Sequence, residues 1–162
     1  GLDVSRLSDD EGAALRSRTI GFVFQMFNLL ARTSALDNVG LPMLYTGEPG
    51  RAERAAVVLR EVGLGDRMDH APNQLSGGQQ QRVAIARSLV HEPRLIVCDE
   101  PTSALDHETG AHVMEILREV ALGGARTLIV VTHDARVFAY ADRIAVMDDG
   151  RILKIVKSAA EL

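Results

Sequence analysis

The chain has 162 residues, of which 46% are apolar and 25% are charged, a composition typical of a globular domain. Its net charge of -4 offers no basic surface for nucleic acid, and its single cysteine excludes an internal disulfide or a cysteine zinc site. Its apolar stretches are shorter than the roughly 20 residues that cross a bilayer. Acidic residues near the start argue against a signal peptide. We therefore expect one cytoplasmic domain.

The first half of the chain is predicted to contain one strand and several helices. A capping-box spacing starts a helix at Ser8 that runs to about residue 18. An apolar strand follows at 20–25. Two more helices are predicted at 34–45 and 51–62, separated by a breaker that contains Gly and Pro. Residues from about 30 to 75 are expected to form a helical subdomain beside the sheet.

The second half of the chain is predicted to alternate helices with strands and to end in a hairpin. The segments are a helix at 77–91, a strand at 95–98, a helix at 108–122, a strand at 127–132, a helical turn at 135–141, and hairpin strands at 143–147 and 151–156. In the first of these helices, the residues expected to face away from the core are Gln80, Gln81, Arg82 and Arg87. The fold class is predicted to be α/β, a single domain with a mainly parallel sheet flanked by helices and a core made of 1–29 and 76–162.

Polar side chains stand at the ends of all three predicted sheet strands. Gln25 ends the first strand, and Asp99 and Glu100 follow the second. His133 follows the third. Because ligands bind beyond the carboxyl ends of parallel strands, these groups are expected to share one edge. One carboxylate can hold Mg²⁺ through retained waters, and the adjacent one can act as a base. Each residue alone also fits an ordinary structural or surface role.

A second candidate site precedes the helix at 77–91. The residues Ser76-Gly77-Gly78-Gln79 place a capping serine and two glycines at a helix start. The first amides of a helix lack internal partners, and the helix dipole favours an anion there. This turn is therefore a candidate seat for phosphate oxygens. A serine-capped loop with flexible glycines is the alternative.

Together these segments resemble the ATP-binding cassette (ABC) ATPases over essentially the whole chain. The resemblance rests on the order and spacing of four segments. These are Leu75-Ser76-Gly77-Gly78-Gln79-Gln80-Gln81-Arg82, then 95–100, then Ser103-Ala104-Leu105-Asp106, then His133. The resemblance implies a P-loop NTPase-like fold and ATP with Mg²⁺ as the bound ligands.

The resemblance also implies a role for each matching residue. The signature motif, which completes an ATP site on a second subunit, is matched by Ser76, Gly77, Gly78 and Gln79. Asp99 matches the Walker B aspartate at Mg²⁺, Glu100 matches the catalytic base, and Gln25 matches the Q-loop glutamine near the nucleotide and Mg²⁺. Asp106 matches the D-loop, and His133 matches the switch histidine at the γ-phosphate.

Finer similarity points to one branch of the family. Residues 21–25, 41–45 and 70–74 are similar to ATPases of lipoprotein and macrolide exporters, and residues 132–134 and 138–143 to glycolipid-exporter relatives. The resemblance implies an ATP-hydrolysing subunit that drives export of a lipid-like or hydrophobic substrate. Its expected partners are a second copy or a full-length ATPase and a membrane permease subunit. Its expected location is the inner face of the cell membrane, as a peripheral protein.

One element of the family pattern is missing from the sequence. No Gly-x-x-x-x-Gly-Lys-[Ser/Thr] loop occurs, and the only lysines are Lys154 and Lys157. That loop cradles the nucleotide phosphates. We therefore expect that the amino-terminal β subdomain and the P-loop are absent, that the chain alone does not hydrolyse ATP, and that apolar sheet surface is exposed.

Two other functions remain open from the sequence. The chain could be a non-catalytic module that dimerises or docks on a permease, and such a module would bind no nucleotide by itself. It could also belong to the soluble ABC ATPases of DNA repair or translation. The single cysteine, the single signature motif and the negative charge argue against that class and against a nucleic-acid partner.

Overall fold

The computed structural model describes residues 3–47, 49–123 and 126–161. Over these residues the chain forms five α-helices, five strands and four short 3-10 helices. The elements are α1 (Asp9–Thr19), β1 (Ile20–Val23), α2 (Ala35–Thr46), α3 (Arg51–Glu61), α4 (Gly77–Leu89), β2 (Leu95–Asp99), α5 (His107–Gly123), β3 (Thr127–Val131), β4 (Ile144–Asp148) and β5 (Arg151–Val156), with 3-10 turns at Val4–Arg6, Pro72–Gln74, Ala135–Tyr140 and Ala159–Glu161. The chain divides into two compact units between Val131 and Thr132.

The first unit is built on a three-stranded sheet in the order β1-β2-β3. Both pairs of neighbours are parallel, with Val23 opposite Cys98 and Asp99 opposite Val131. The predicted α/β class with a parallel sheet is therefore confirmed. The carboxyl ends of all three strands point to the same edge, which places the residues that follow β1 and β2 on one side of the unit.

One face of the sheet is covered by helix α4, which packs against β1. Val23, Ile96 and Cys98 on this face have no exposed surface. A Cβ added to Gly21 would lie 2.2 Å from the Ser88 carbonyl oxygen, so α4 approaches the strand backbone directly. Only glycine permits this separation. Helix α4 also contacts α2, α3 and α5, which makes it the central helix of the unit.

Cys98 is the fourth of the five residues of β2 and the only cysteine of the chain. Its side chain is fully buried, and burial raises the pKa of the thiol to about 12. The group therefore behaves as a small apolar side chain rather than as a nucleophile or a ligand.

The opposite face of the sheet is largely open. Phe22, Val97 and Ile129 form one row across the three strands. Phe22 is 43% exposed and Ile129 is 47% exposed, while Val97 is half-buried. The uninterrupted apolar sequence of β2 is typical of a strand covered on both faces. In this chain the second face of the sheet is covered only in part.

Helix α2 begins where its capping serine predicts. Ser34 caps α2 by accepting from the Asp37 amide at 3.0 Å. The buried Asn38 donates to the Leu30 carbonyl and the Thr33 hydroxyl, and its Oδ1 accepts from the Leu30 amide at 2.7 Å. Asn38 thereby holds the loop that leads into α2. Helix α2 then packs on α3 and α4.

The first strand is shorter than predicted. Apolar sequence suggested a strand from 20 to 25, but β1 ends at Val23. Its pairing with β2 stops at the Val23–Cys98 position. Phe24 and Gln25 therefore belong to the loop beyond the sheet edge, and the side chain of Gln25 is exposed.

The second unit contains the 3-10 turn at Ala135–Tyr140 and the antiparallel hairpin of β4 and β5. Asp149 and Gly150 form the turn with φ angles of 49° and 73°, as an Asp-Gly hairpin turn requires. The predicted hairpin is confirmed. Across the described parts of both units, every helix is too short or too polar to span a membrane.

The close approach at Gly21 gives a stability prediction. Gly21→Ala is expected to lower the free energy of unfolding by about 1–3 kcal/mol, because its methyl group would displace the Ser88 carbonyl. Urea denaturation followed by circular dichroism measures the change. The control is Gly12→Ala in α1, where the nearest atom is the flexible tip of Arg16 and alanine favours the helix. Equal midpoints for the two variants would contradict the proposed contact.

Candidate functional site

The sheet edge collects three of the predicted site residues within the first unit. Asp99 is the last residue of β2, Glu100 follows it, and Gln25 lies two residues beyond the parallel strand β1. Asp99 and Gln25 are exposed and Glu100 is half-buried. The sheet thus brings an amide and two carboxylates to one edge of the first unit.

Glu100 has an unusual backbone conformation. Its φ is 47°, in the left-handed region that side chains with a Cβ rarely adopt. The conformation is fixed from two sides, because the Glu100 amide donates to the Val131 carbonyl at 2.9 Å and the Ser103 amide and hydroxyl donate to the Glu100 carbonyl at 3.2 and 3.0 Å. Strain of this kind persists only where neighbours enforce it, and it concentrates at functional sites.

The Ser76 turn begins helix α4 with a capping box. The Gln79 amide donates to Ser76 Oγ at 3.3 Å, and the Ser76 amide donates to Gln79 Oε1 at 2.9 Å. The first helical bond of this turn runs from the Gln80 amide to the Ser76 carbonyl. The amides of Gly77 and Gly78 precede it and head the positive end of the helix. Ser76 and Gly77 are exposed, so an anion can reach this turn.

The second glycine of the turn is required by packing. A Cβ on Gly78 would lie 2.3 Å from Thr109 Cγ2 in α5. A Cβ on Gly77 would lie 3.6 Å from Leu105 and 3.9 Å from Phe27. The start of α4 therefore packs against the start of α5, and Leu105 and Phe27 border the space beside Gly77.

Asp106 has a local role in this structure as the cap of α5. Its Oδ1 accepts from the Thr109 amide at 3.0 Å, and its Oδ2 accepts from the Thr109 hydroxyl at 2.7 Å. These bonds hold the pKa of Asp106 below its usual range. Thr109 was missed in the sequence, although an aspartate directly before a helix is a common N-cap that accepts from the amide three residues on.

Gln81 was predicted to face outward, and this is wrong. Its side chain is fully buried, and its Nε2 donates to the Pro101 carbonyl at 2.9 Å. Its Oε1 is also buried but accepts no hydrogen bond from the described residues, so the side-chain amide is paired on one side only. Gln81 therefore ties α4 to the loop directly after Glu100. Helical periodicity could not reveal this, because a glutamine in an amphipathic helix normally marks the solvent side.

His133 lies in the second unit, two residues after β3 in the chain, and its side chain is exposed. It stands in a local turn in which the Asp134 amide donates to the Thr132 hydroxyl at 3.0 Å. Next to it Asp134 accepts from Arg136 through both carboxylate oxygens. The hydrogen bonds from Arg136 lower the pKa of Asp134 to about 2.

The donor set at the sheet edge suits Mg²⁺ rather than a softer metal. Among the described residues, no three His, Cys, Asp or Glu side chains are grouped to hold a metal ion. Asp99 and Gln25 offer one carboxylate and one amide oxygen on the exposed edge. Mg²⁺ keeps several waters and takes few protein ligands, so two such donors fit it.

The contact between the two helix starts can be tested by a rescue. Gly78→Ala is expected to lower the free energy of unfolding by about 1–3 kcal/mol, since its methyl group would overlap Thr109 Cγ2. Adding Thr109→Ser removes that methyl and keeps the hydroxyl that donates to Asp106. The double variant should be more stable than Gly78→Ala alone. Urea denaturation measures the free energy of unfolding of each variant. If the loss in the double variant equalled the sum of the losses in Gly78→Ala and Thr109→Ser, the contact would be contradicted.

The cap at Asp106 predicts a pH dependence of stability. Its folded-state pKa lies below that of the unfolded chain, so its stabilisation is present above the unfolded pKa and is lost as the pH falls through the folded pKa. Asp106→Asn keeps a capping oxygen without this titration. Stability measured between neutral and strongly acidic pH should fall less steeply in the variant. Parallel curves would show that Asp106 does not contribute.

Comparison with known proteins supplies the family. The model of the ABC transporter family matches residues 2–103, more than half of the chain. The macrolide export ATP-binding/permease protein MacB of Brucella melitensis is 52% identical over 155 residues, which are 94% of this chain and 24% of the relative. An uncharacterised ABC transporter ATP-binding protein of Thermotoga maritima is 52% identical over 94% of this chain and 65% of its own length.

Solved structures agree with these relatives. The ATP-binding cassette MJ0796, in a dimeric post-hydrolysis state bound to ADP and Pi, is 43% identical with a TM-score of 0.81 over 94% of this chain and 68% of its own. This chain spans about a quarter of the length of the MacB proteins it matches. The resemblance inferred from the motifs is confirmed, and the chain belongs to the ABC transporter family, in its ATP-binding cassette.

Proposed function

We propose that this chain is part of the ATP-hydrolysing subunit of an ABC exporter that moves a lipid-like or hydrophobic substrate. Several relatives at about half identity are named as macrolide export ATP-binding/permease proteins, which supports an exporter of the same type. The proposed subunit lies at the inner face of the cell membrane and acts together with a permease. The family to which the chain belongs supplies ATP as the bound nucleotide.

The site residues matched by the family resemblance have distinct proposed roles. Asp99 and Gln25 would hold Mg²⁺ through its water shell, and Mg²⁺ when bound would neutralise phosphate charge. Glu100 would accept a proton from the attacking water, and His133 would bind the γ-phosphate. The strained backbone of Glu100, tied to Val131 and Ser103, supports its assignment as the base because it fixes where the carboxylate begins.

The Ser76 turn is proposed to serve a second subunit. As an acceptor from the Gln79 amide, the Ser76 hydroxyl keeps a proton that it can donate to a phosphate oxygen. The amides of Gly77 and Gly78 would add donors at the positive end of α4. In this proposal the turn completes a nucleotide site on the partner, and Asp106, at the start of α5, lies at the contact. Dimeric cassette structures among the neighbours support this arrangement.

One observation carries the proposal. Parallel strands place Gln25, Asp99 and Glu100 at a single sheet edge, and the adjacent helix α4 starts with an exposed, anion-binding type of turn. A module that only dimerises or docks on a permease has no need of a strained carboxylate at that edge. It would also bind no nucleotide.

The test is Glu100→Gln in the intact protein that contains this chain. Loss of the base should lower kcat for ATP hydrolysis about 100-fold or more while ATP still binds with its original Kd. Steady-state kinetics and nucleotide titration measure the two effects. Glu119→Gln, on the exposed side of α5, is the matched control and should be neutral. Normal turnover in Glu100→Gln would remove Glu100 from the role of base.

ATP hydrolysis by the 162-residue chain alone is a second measurement in the same test. Because it contains no P-loop lysine, it is expected to hydrolyse no ATP. A kcat of about 10 s⁻¹ for the isolated chain, which is ordinary for an enzyme, would contradict this expectation.

A further inference from the structure

Arg87 is a partly buried arginine of α4 that the proposed mechanism does not use. Its Nη1 donates to the Asn28 carbonyl at 2.6 Å, and its Nη2 donates to the Phe27 carbonyl at 2.9 Å. Burial lowers the pKa of this guanidinium. Both acceptors are backbone atoms of the loop that follows Gln25. The planar guanidinium makes the two bonds at once, which a lysine ammonium cannot reproduce with the same geometry.

The loop held by Arg87 contains little regular structure of its own. Asn28 has a φ of 50°, in the left-handed region. The described loop is otherwise fixed at its far end, where the Leu30 amide donates to Asn38. The bonds from Arg87 are therefore placed between Gln25 and this second anchor, at the two residues that determine how the chain leaves the sheet edge.

Helix α4 connects the Ser76 turn to the clamp, which is the pair of hydrogen bonds from Arg87 to the carbonyls of Phe27 and Asn28. Arg87 lies ten residues after Gly77, which corresponds to about 15 Å along a helix. Near the other end, the position of Gly77 is in contact range of the Phe27 ring. The same helix therefore bonds to the loop after Gln25 through Arg87, and Phe27 of that loop borders the open side of Gly77.

We propose that Arg87 is a positioning residue for Gln25. By holding the carbonyls of Phe27 and Asn28, it fixes the side-chain amide of Gln25 at the carboxyl edge of the sheet, where the nucleotide is proposed to bind. This inference rests on the proposed function, because Gln25 is assigned there to the nucleotide and its Mg²⁺. Arg87 itself touches neither. It acts through the loop backbone.

The chain offers a matched control on the same helix. Arg82 donates through Nη1 to the Val62 carbonyl at 3.1 Å, and so holds the loop at the end of α3 instead. Arg82→Lys and Arg87→Lys both keep the charge and lose guanidinium geometry. The two variants differ in the loop that is released. A general loss of stability would affect both variants, whereas a specific effect on the Gln25 loop would appear only in Arg87→Lys.

The activity test measures the Mg²⁺ concentration that gives half-maximal ATP hydrolysis in the intact protein. Arg87→Lys should raise it about tenfold, and Arg82→Lys should leave it unchanged. In a Gln25→Ala background, Arg87→Lys should add less than about twofold, because the residue it positions is gone. Equal effects of the two arginine variants, or an undiminished effect of Arg87→Lys without Gln25, would overturn the inference.

A structural readout separates this inference from the proposed function. Hydrogen exchange of the Leu30 amide in the 162-residue chain should accelerate in Arg87→Lys and not in Arg82→Lys. Unchanged exchange in Arg87→Lys would overturn the clamp whatever the activity. An intact wild-type protein that hydrolyses no ATP, together with the expected exchange, would overturn the proposed function and leave the clamp supported.

Discussion

The first unit depends on the direct approach of helix α4 to the backbone of β1. At Gly21 the strand has no side chain, and the Ser88 carbonyl occupies the space that a Cβ would take. This contact sets the height of α4 above the sheet. Because α4 also meets α2, α3 and α5, its position fixes where the other helices pack. The exposed turn at its amino terminus is held by this buried contact near its other end.

The elements of the fold follow largely from local chemistry. Ser8, Ser34 and Ser76 each begin a helix at the position that their capping pattern predicts, because a cap requires only neighbouring residues. The Asp149-Gly150 turn defines the hairpin for the same reason. The end of β1 was misjudged because strand length depends on the partner strand, and the pairing partner of β1 is more than seventy residues away in sequence.

The sequence predicted which side chains follow the strands at the candidate site. It did not predict the backbone conformation or the backbone hydrogen bonds around them. Gln25, Asp99 and Glu100 are visible as polar residues after apolar strands. The left-handed φ of Glu100 is imposed by Val131 and Ser103, and no local pattern predicts it. The buried position of Gln81 likewise depends on the Pro101 carbonyl, an acceptor that every residue type carries and that a sequence pattern therefore cannot identify.

The only thiol of the chain can report on local opening of the folded structure. Cys98 is the last residue but one of the middle strand, its side chain has no accessible surface, and burial raises its pKa. A thiol-specific alkylating reagent can therefore modify it only during excursions that separate α4 from the sheet or break the strand pairing. The labelling rate under native conditions would thus time those openings, without any engineered probe.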